Sequence, residues 1–202
     1  MLGIINYKVG NLASIENAFL KLKKKIKIIE SPEEIRNCDL LVLPGVGAFG
    51  NAMESLNKSG MRDAILEYAK NGKYLLGICL GMQLLFEKSN EFGEHQGLGL
   101  LQGEVTKITG LQKGEKIPHM GWNEVKICKN SPLLKDMPNS FYLYFVHSFC
   151  VPNLTYAIGS SFYGTEFSAI VQKDNILGIQ PHPEKSHDIG LKILQNFIFL
   201  GE

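Results

Sequence analysis

The stretch Tyr74-Leu75-Leu76-Gly77-Ile78-Cys79-Leu80-Gly81-Met82-Gln83-Leu84-Leu85 decides the fold. Its first five residues are almost continuously apolar, as in a strand buried on both faces of a parallel sheet. From about Leu80 to Glu87 the sequence reads as a helix. Between strand and helix lies Gly77-Ile78-Cys79-Leu80-Gly81. This is the strand-turn-helix pattern G-x-S-x-G with cysteine at the centre. Small flanking residues permit a sharp turn that lifts the central side chain above the sheet edge. The helix start favours a thiolate, the reactive form of cysteine. A structural cysteine in a glycine-rich turn fits the same local string.

The neighbouring segments repeat the rhythm. Upstream, Leu40-Leu41-Val42-Leu43 is a second buried strand, stopped by Pro44-Gly45-Val46-Gly47. Met61, Ala64, Ile65 and Tyr68 mark a helix between the two strands. Further back, Gly3-Ile4-Ile5-Asn6 is a strand, and Gly10-Asn11 breaks it. Asn11 is a candidate helix cap. Leu12, Ile15, Phe19 and Leu22 place an amphipathic helix over residues 12–24, with Lys21, Lys23, Lys24 and Lys25 at its end, where the helix dipole favours cations. Ile26 to Glu30 is the next strand. Such β-α alternation implies a parallel, doubly wound core with right-handed crossovers.

Downstream the pattern changes. Glu104–Ile108, Asn123–Cys128, Tyr142–Phe149, Tyr156–Phe162, Phe167–Gln172 and Ile176–Ile179 read as strands joined by turns, hence antiparallel additions. Ile189, Ile193, Leu194, Phe197 and Ile198 mark a last helix. The fold class is α/β: a doubly wound, mostly parallel sheet with helices on both faces and antiparallel strands in the C-terminal half. With no repeat or linker, residues 1–202 read as a single domain.

Composition bounds the function. The chain has 202 residues, 45% hydrophobic and 20% charged, so it can bury a full core. A net charge of +1 gives no support for nucleic acid or an anionic membrane as partner. No apolar run reaches the ~20 residues of a membrane helix, and the N-terminus has no signal-peptide pattern. The four cysteines lie far apart and form no CxxC pair, so neither a zinc ribbon nor a disulfide framework is expected. A cytoplasmic protein with reduced thiols follows, one of them free to act as nucleophile.

A cysteine nucleophile needs a base, and the base an orienting group. Pro181-His182-Pro183-Glu184 follows the strand Ile176–Ile179. Its two prolines hold it extended, so His182 and Glu184 leave the same side of the chain. The carboxylate can then fix the imidazole tautomer while the other nitrogen faces Cys79. A structural histidine beside a surface acid is the alternative, and a two-ligand metal site a weaker one. Acyl transfer also needs N–H donors for an oxyanion. The Gly-flanked Val46 and the helix-starting Leu80 can supply them.

GICLGMQLL (77–85), LPGVGAF (43–49) and PHPEKS (181–186) resemble the class I glutamine amidotransferases, flavodoxin-like triad glutaminases. IPHMGWN (117–123) and YFVHSF (144–149) are similar to the branch that serves as glutaminase subunits of imidazole glycerol phosphate synthases. The resemblance runs from the first strand to the last helix. It implies that Cys79 attacks the glutamine side-chain amide, His182 shuttles protons and Glu184 orients it. It implies an oxyanion hole at the Val46 and Leu80 amides. Gly47, Gln83, Ser148 and Phe149 would contact glutamine. It implies no cofactor and no metal. Ammonia would pass to a (β/α)8 cyclase subunit in a heterodimer of histidine biosynthesis. Trp122, Asn123, Tyr144 and Lys185 would lie at or near that interface.

The chain departs from the usual pattern at Asn6 and Lys8, where Asp and Gly are common, and at Pro181, where an aromatic residue is common. These differences would suit a paralogue that supplies ammonia to another synthase, such as one in amino-sugar modification of surface glycans. An idle scaffold subunit is a reading of another class, against which the intact Cys79, His182 and Glu184 argue. A related cysteine hydrolase or peptidase is opposed by the glutamine-contact and interface motifs. His147 reads as structural or binding, and His119 falls in the interface segment. His95 and His187 read as surface residues, and Cys38, Cys128 and Cys150 as packing residues.

Overall fold

The computed structural model describes residues 1–8, 12–152 and 154–201. In chain order the strands are β1 (Leu2–Ile5), β2 (Ile26–Ile29), β3 (Leu40–Leu43), β4 (Tyr74–Ile78), β5 (Phe86–Ser89), β6 (His95–Gln96), β7 (Leu101–Lys107), β8 (His119–Ile127), β9 (Ser140–His147), β10 (Phe149–Cys150), β11 (Ala157–Tyr163), β12 (Thr165–Lys173) and β13 (Ile176–Ile179). The helices are α1 (Leu12–Lys21), α2 (Pro32–Ile35), α3 (Phe49–Lys58), α4 (Met61–Lys70), α5 (Leu80–Leu84) and α6 (His187–Phe199).

One large sheet has the order β2-β1-β3-β4-β13-β12-β11-β8-β9. From β2 to β13 every pairing is parallel. From β13 to β9 every pairing is antiparallel. This is the doubly wound core with antiparallel additions that the sequence predicts. Strands β1, β3 and β13 are buried along their whole length, which is why they read as unbroken apolar runs. Helices α1 and α6 cover one face through Ile15, Phe19, Ile193 and Phe197. Helices α3 and α4 cover the other through Phe49, Met53, Leu56, Ile65 and Tyr68.

Register positions the site. Ile78 of β4 pairs with Ile179 of β13, and Gly77 pairs with Leu43 of β3. Three adjacent parallel strands therefore end together. The residues just beyond them are Pro44–Gly47, Cys79 and Gln180–His182. Functional sites of open α/β sheets sit at this carboxyl edge.

Several local expectations are corrected. The helix expected to reach Glu87 stops at Leu84, because Phe86–Ser89 forms a strand instead. It pairs parallel with β7 and antiparallel with β6, in a second sheet of order β10-β7-β5-β6. The segment near Glu104–Ile108 belongs to that sheet rather than to the main one. The strand expected over Tyr142–Phe149 is broken at Ser148, and Phe149–Cys150 joins β7. Helix α1 ends at Lys21 and not at residue 24. Lys23 adopts φ 57°, and the N–H groups of Lys23 and Lys24 bond back to Leu20 and Phe19, which closes the helix in a left-handed cap. The proposed Asn11 cap lies outside the described residues. Two helices went unforeseen, α2 and α3. The first has a readable start, since Glu34 accepts from the backbone of Glu30 and Ser31 in a capping box with Pro32 at the first turn. Cys38 and Cys150 are buried as expected, but Cys128 is exposed, one residue beyond the end of β8.

Candidate active site

Cys79 follows β4 with φ 54° and ψ −113°, a conformation costly for a side-chain-bearing residue. The flanking glycines explain how it is tolerated. A Cβ on Gly77 would lie 2.6 Å from the Gly81 carbonyl oxygen, and one on Gly81 would lie 1.8 Å from that of Leu43. The turn is closed against its own backbone and against β3, so G-x-C-x-G is required sterically. Cys79 N–H donates to the Ile179 carbonyl at 2.8 Å, which ties the elbow to β13.

His182 stands just beyond β13. Its Nδ1 is 2.7 Å from Oε1 of Glu184, and both side chains are almost fully buried. The pairing matches the sequence reading, but the backbone does not. Pro183–Lys185 is a turn of 3-10 helix rather than an extended segment. Ser186 fixes that turn: its hydroxyl donates to the His182 carbonyl and accepts from the Tyr144 N–H. Gly190 lets it pack, since a Cβ there would come within 1.9 Å of the Pro183 carbonyl oxygen.

Burial opposes a charge on His182, but the adjoining Cys79 sulfur and Glu184 carboxylate outweigh it and hold the imidazole pKa up, at about 10. Nε2 of His182 has no formed hydrogen bond among the described residues, nor has Oε2 of Glu184. The imidazole thus has one nitrogen bonded to the Glu184 carboxylate and the other open toward Cys79.

These groups border a cleft of about 290 Å³. Val46, Gly47, Cys79, Leu80, Gln83, Ser148, Phe149 and His182 all line it. Every residue the sequence assigns to nucleophile, base, oxyanion hole and glutamine contact is therefore at one place, with Glu184 directly behind. Val46 and Gly47 form an open lip. Val46 is 42% exposed, and Gly47 has φ 96° with free space on its Cβ side. The loop is anchored from below, where the buried Tyr7 hydroxyl donates to the Pro44 carbonyl at 2.8 Å.

Glu91, Pro118, Val146 and His147 also line the cleft. Glu91 carries no expectation from the sequence: it sits in the turn after β5, and its Oε2 accepts from the Phe49 N–H at 2.6 Å. No short-range signal marks it. His147 and His119 form a buried pair: Nδ1 of His147 bonds the Phe149 carbonyl at 2.8 Å, and its Nε2 faces Nδ1 of His119 at 2.9 Å. A carbonyl only accepts, so each ring carries its proton on Nδ1. Burial pushes the His119 pKa down to about 4 and that of His147 to about 3.

This has a testable sign. Both folded values lie below the ~6.5 of an unfolded histidine. The unfolded chain therefore binds protons first as pH falls. The contribution is complete above about 6.5 and is lost on acidification toward about 4 for His119 and about 3 for His147. Urea midpoints should fall between pH 7 and pH 5, and His119→Phe, placed between the rings of Phe145 and Tyr163, should flatten that slope. An unchanged slope in a folded variant would contradict the buried neutral pair.

The model of the family "Glutamine amidotransferase class-I" matches residues 4–200. The chain belongs to the class I glutamine amidotransferases. Two curated relatives match over essentially their whole length. The protein "Imidazole glycerol phosphate synthase subunit HisH" of Wolinella succinogenes is 56% identical, covering 100% of each chain. Its namesake in Sulfurimonas denitrificans is 52% identical, covering 98% of this chain and 97% of the other. A solved structure described as "Crystal structure of glutamine amidotransferase" superimposes with a TM-score of 0.77 at 17% identity, over 99% of this chain and 98% of that one. At that identity the likeness is one of fold.

Of the four residues that the resemblance places at or near an interface, Trp122, Tyr144 and Lys185 are at least partly exposed. Trp122 is 47% exposed and stacks on the His187 ring at 5.1 Å, with Tyr144 edge-on at 6.1 Å. Met120 and Tyr142 are also exposed on the same face of the β8–β9 pair. Lys185 is exposed at the end of the Pro183–Lys185 turn. Asn123 departs from this grouping. Strand alternation turns it to the other face, where its Nδ2 lies 3.3 Å from Nε2 of His119 and donates to the Phe162 carbonyl at 2.9 Å. Among the described residues no three His, Cys, Asp or Glu side chains could hold a metal ion together.

Proposed function

We propose that this chain is the glutaminase subunit of an imidazole glycerol phosphate synthase. The meeting of Cys79 and His182 in one cleft, with Glu184 bonded to the imidazole behind them, carries the glutaminase reading. Full-length similarity to the two HisH proteins supports the choice of acceptor. Glutamine enters with its side-chain amide at Cys79. His182 takes the thiol proton through Nε2, while Glu184 holds Nδ1–H and stabilises the imidazolium. The sulfur adds to the amide carbon, and the resulting oxyanion is met by the amides of Val46 and Leu80. His182 returns the proton to the leaving nitrogen, and ammonia departs. Water, deprotonated by His182, then hydrolyses the γ-glutamyl thioester to glutamate.

The substrate's other end fits the rest of the cleft. The Glu91 carboxylate complements an α-ammonium group. Nε2 of Gln83 is committed to the Phe149 and Gln180 oxygens, so Gln83 offers a ligand only its own oxygen, an acceptor for N–H. Gly47, Ser148 and Phe149 complete the contact surface. The apolar face of Met120, Trp122, Tyr142 and Tyr144 suits docking of a (β/α)8 cyclase subunit, with Lys185 at its rim, and Trp and Tyr are favoured anchors of such interfaces. Ammonia would pass across that face to the histidine-pathway ribonucleotide, in the cytoplasm and without a cofactor.

A glutamine-like electrophile tests the nucleophile. Treatment with 6-diazo-5-oxo-norleucine should add one label to the Cys79 peptide and block glutaminase activity. Labelling elsewhere, or none with activity retained, would sink the assignment. His182→Ala should reduce glutamine turnover about one to two orders of magnitude more than Glu184→Gln, since losing the base costs more than losing its orienting group. Equal loss in both variants would contradict that division of roles.

A further inference from the structure

Gln180 is fully buried in the segment between β13 and His182, and the mechanism above gives it no part. Its Nε2 lies 3.9 Å from the Cys79 sulfur, at the outer reach of an N–H···S bond. The orientation of this amide is fixed by its neighbours. The Phe149 carbonyl takes Nδ1–H of His147 at 2.8 Å and faces the Gln83 amide at 2.9 Å. A carbonyl cannot donate, so the Gln83 atom facing it must be Nε2. That same nitrogen lies 2.9 Å from Gln180, whose atom there must be the acceptor Oε1. Gln180 therefore presents N–H and not C=O to the nucleophile.

The second polar neighbour of the sulfur has the opposite character. The Val146 carbonyl lies 4.0 Å from it and suits a thiol, which donates. Once the proton passes to His182, that carbonyl repels the charge, and the Gln180 N–H joins the His182 Nε2–H as a donor facing it. We propose that Gln180 is a hydrogen-bond donor that stabilises the Cys79 thiolate, with Gln83 as the positioning residue that aims it. Gln83 then serves two roles from one side chain: its nitrogen orients Gln180, and its oxygen faces the cleft.

The inference rests on Cys79 being the nucleophile, and the test separates the two. The rate of Cys79 alkylation by iodoacetamide is followed against pH by mass spectrometry of the Cys79 peptide, using the full chain. Exposed Cys128 reports general reactivity in the same samples. The ionisable groups facing the sulfur or lining its cleft are Tyr7 below it, His182 beyond β13, and His147 and Glu91 along the cleft wall. None of them is altered in the variants. Gln180→Leu should move the midpoint of the Cys79 profile up by about one pH unit and slow alkylation below it about tenfold, because a donor to the charged form is removed. Gln180→Glu, isosteric and still able to accept from Gln83, should move it further by placing an acceptor against the thiolate. It also covers the case in which Gln180→Leu fails to fold. A merely structural role would lower the melting temperature and leave the midpoint in place. An unmoved midpoint in either folded variant overturns the inference while the glutaminase reading stands. A wild-type Cys79 that resists alkylation across the range overturns both.

Discussion

Cys79→Ala in the assembled synthase is expected to lose glutamine-dependent product formation by on the order of 10⁴- to 10⁶-fold. Synthesis from added ammonium should continue at the wild-type rate. The reasoning is geometric. Cys79 is 7% exposed, and its backbone is held by the glycine-closed elbow and by the bond to Ile179. Removing the sulfur leaves that framework and the docking face of Trp122 and Tyr144 untouched. What disappears is the thioester route: among the described residues that line the cleft, the other hydroxyl or thiol side chain is Ser148, for which no hydrogen bond to a base is seen. The check is a paired assay of the variant complex with glutamine and with ammonium chloride. Retained glutamine turnover would remove Cys79 from the mechanism. Loss of both activities would show that the elbow also holds the interface.

The second large effect is structural. Gly81→Ala should destabilise the chain by more than about 3 kcal/mol, against the ~5–15 kcal/mol of a typical domain. The new Cβ would sit 1.8 Å from the Leu43 carbonyl oxygen. That neighbour is backbone at the end of β3, so relief requires parting β3 from α5 and thereby opening the oxyanion loop. Gly72→Ala is the control. Gly72 has φ 75° and open space on its Cβ side, so only the left-handed backbone cost of about 1–2 kcal/mol applies. Denaturant midpoints of the two variants should separate clearly, and equal midpoints would contradict the steric account of the motif.

Much of this site was legible because its parts follow strands whose apolar runs are unmistakable. Cys79 and His182 each sit just after a strand, and parallel pairing of β4 with β13 brings them together without further information. The elbow's glycines carried their geometry locally, whereas the His182–Glu184 pair forms through a 3-10 turn and not the extended segment that the spacing suggests. The polar supports were harder to see. Gln83 meets Phe149 and Gln180 across separations of 66 and 97 residues, and nothing in the string forecasts which amide faces which. Glu91 enters the cleft only because β5 forms, and the short apolar run before it suits helix or strand equally well. Strand alternation along β8 settles a further point: Trp122 faces out and Asn123 faces inward, so adjacent residues in one interface motif do different work. The helical end at Lys21 was also misjudged. A lysine in the left-handed cap position has no glycine to announce it, and the periodic apolar pattern continues to Leu22, one residue past the end of α1 at Lys21.

The central claim is that this cleft supplies ammonia to imidazole glycerol phosphate formation. The most direct measurement mixes the chain with its cognate cyclase, the histidine-pathway ribonucleotide and glutamine, and follows glutamate and imidazole glycerol phosphate together. The account predicts equal amounts of the two, because ammonia crosses the docking face without escaping. Glutamate without the imidazole product would contradict it, leaving the triad in place and assigning its ammonia to a different acceptor.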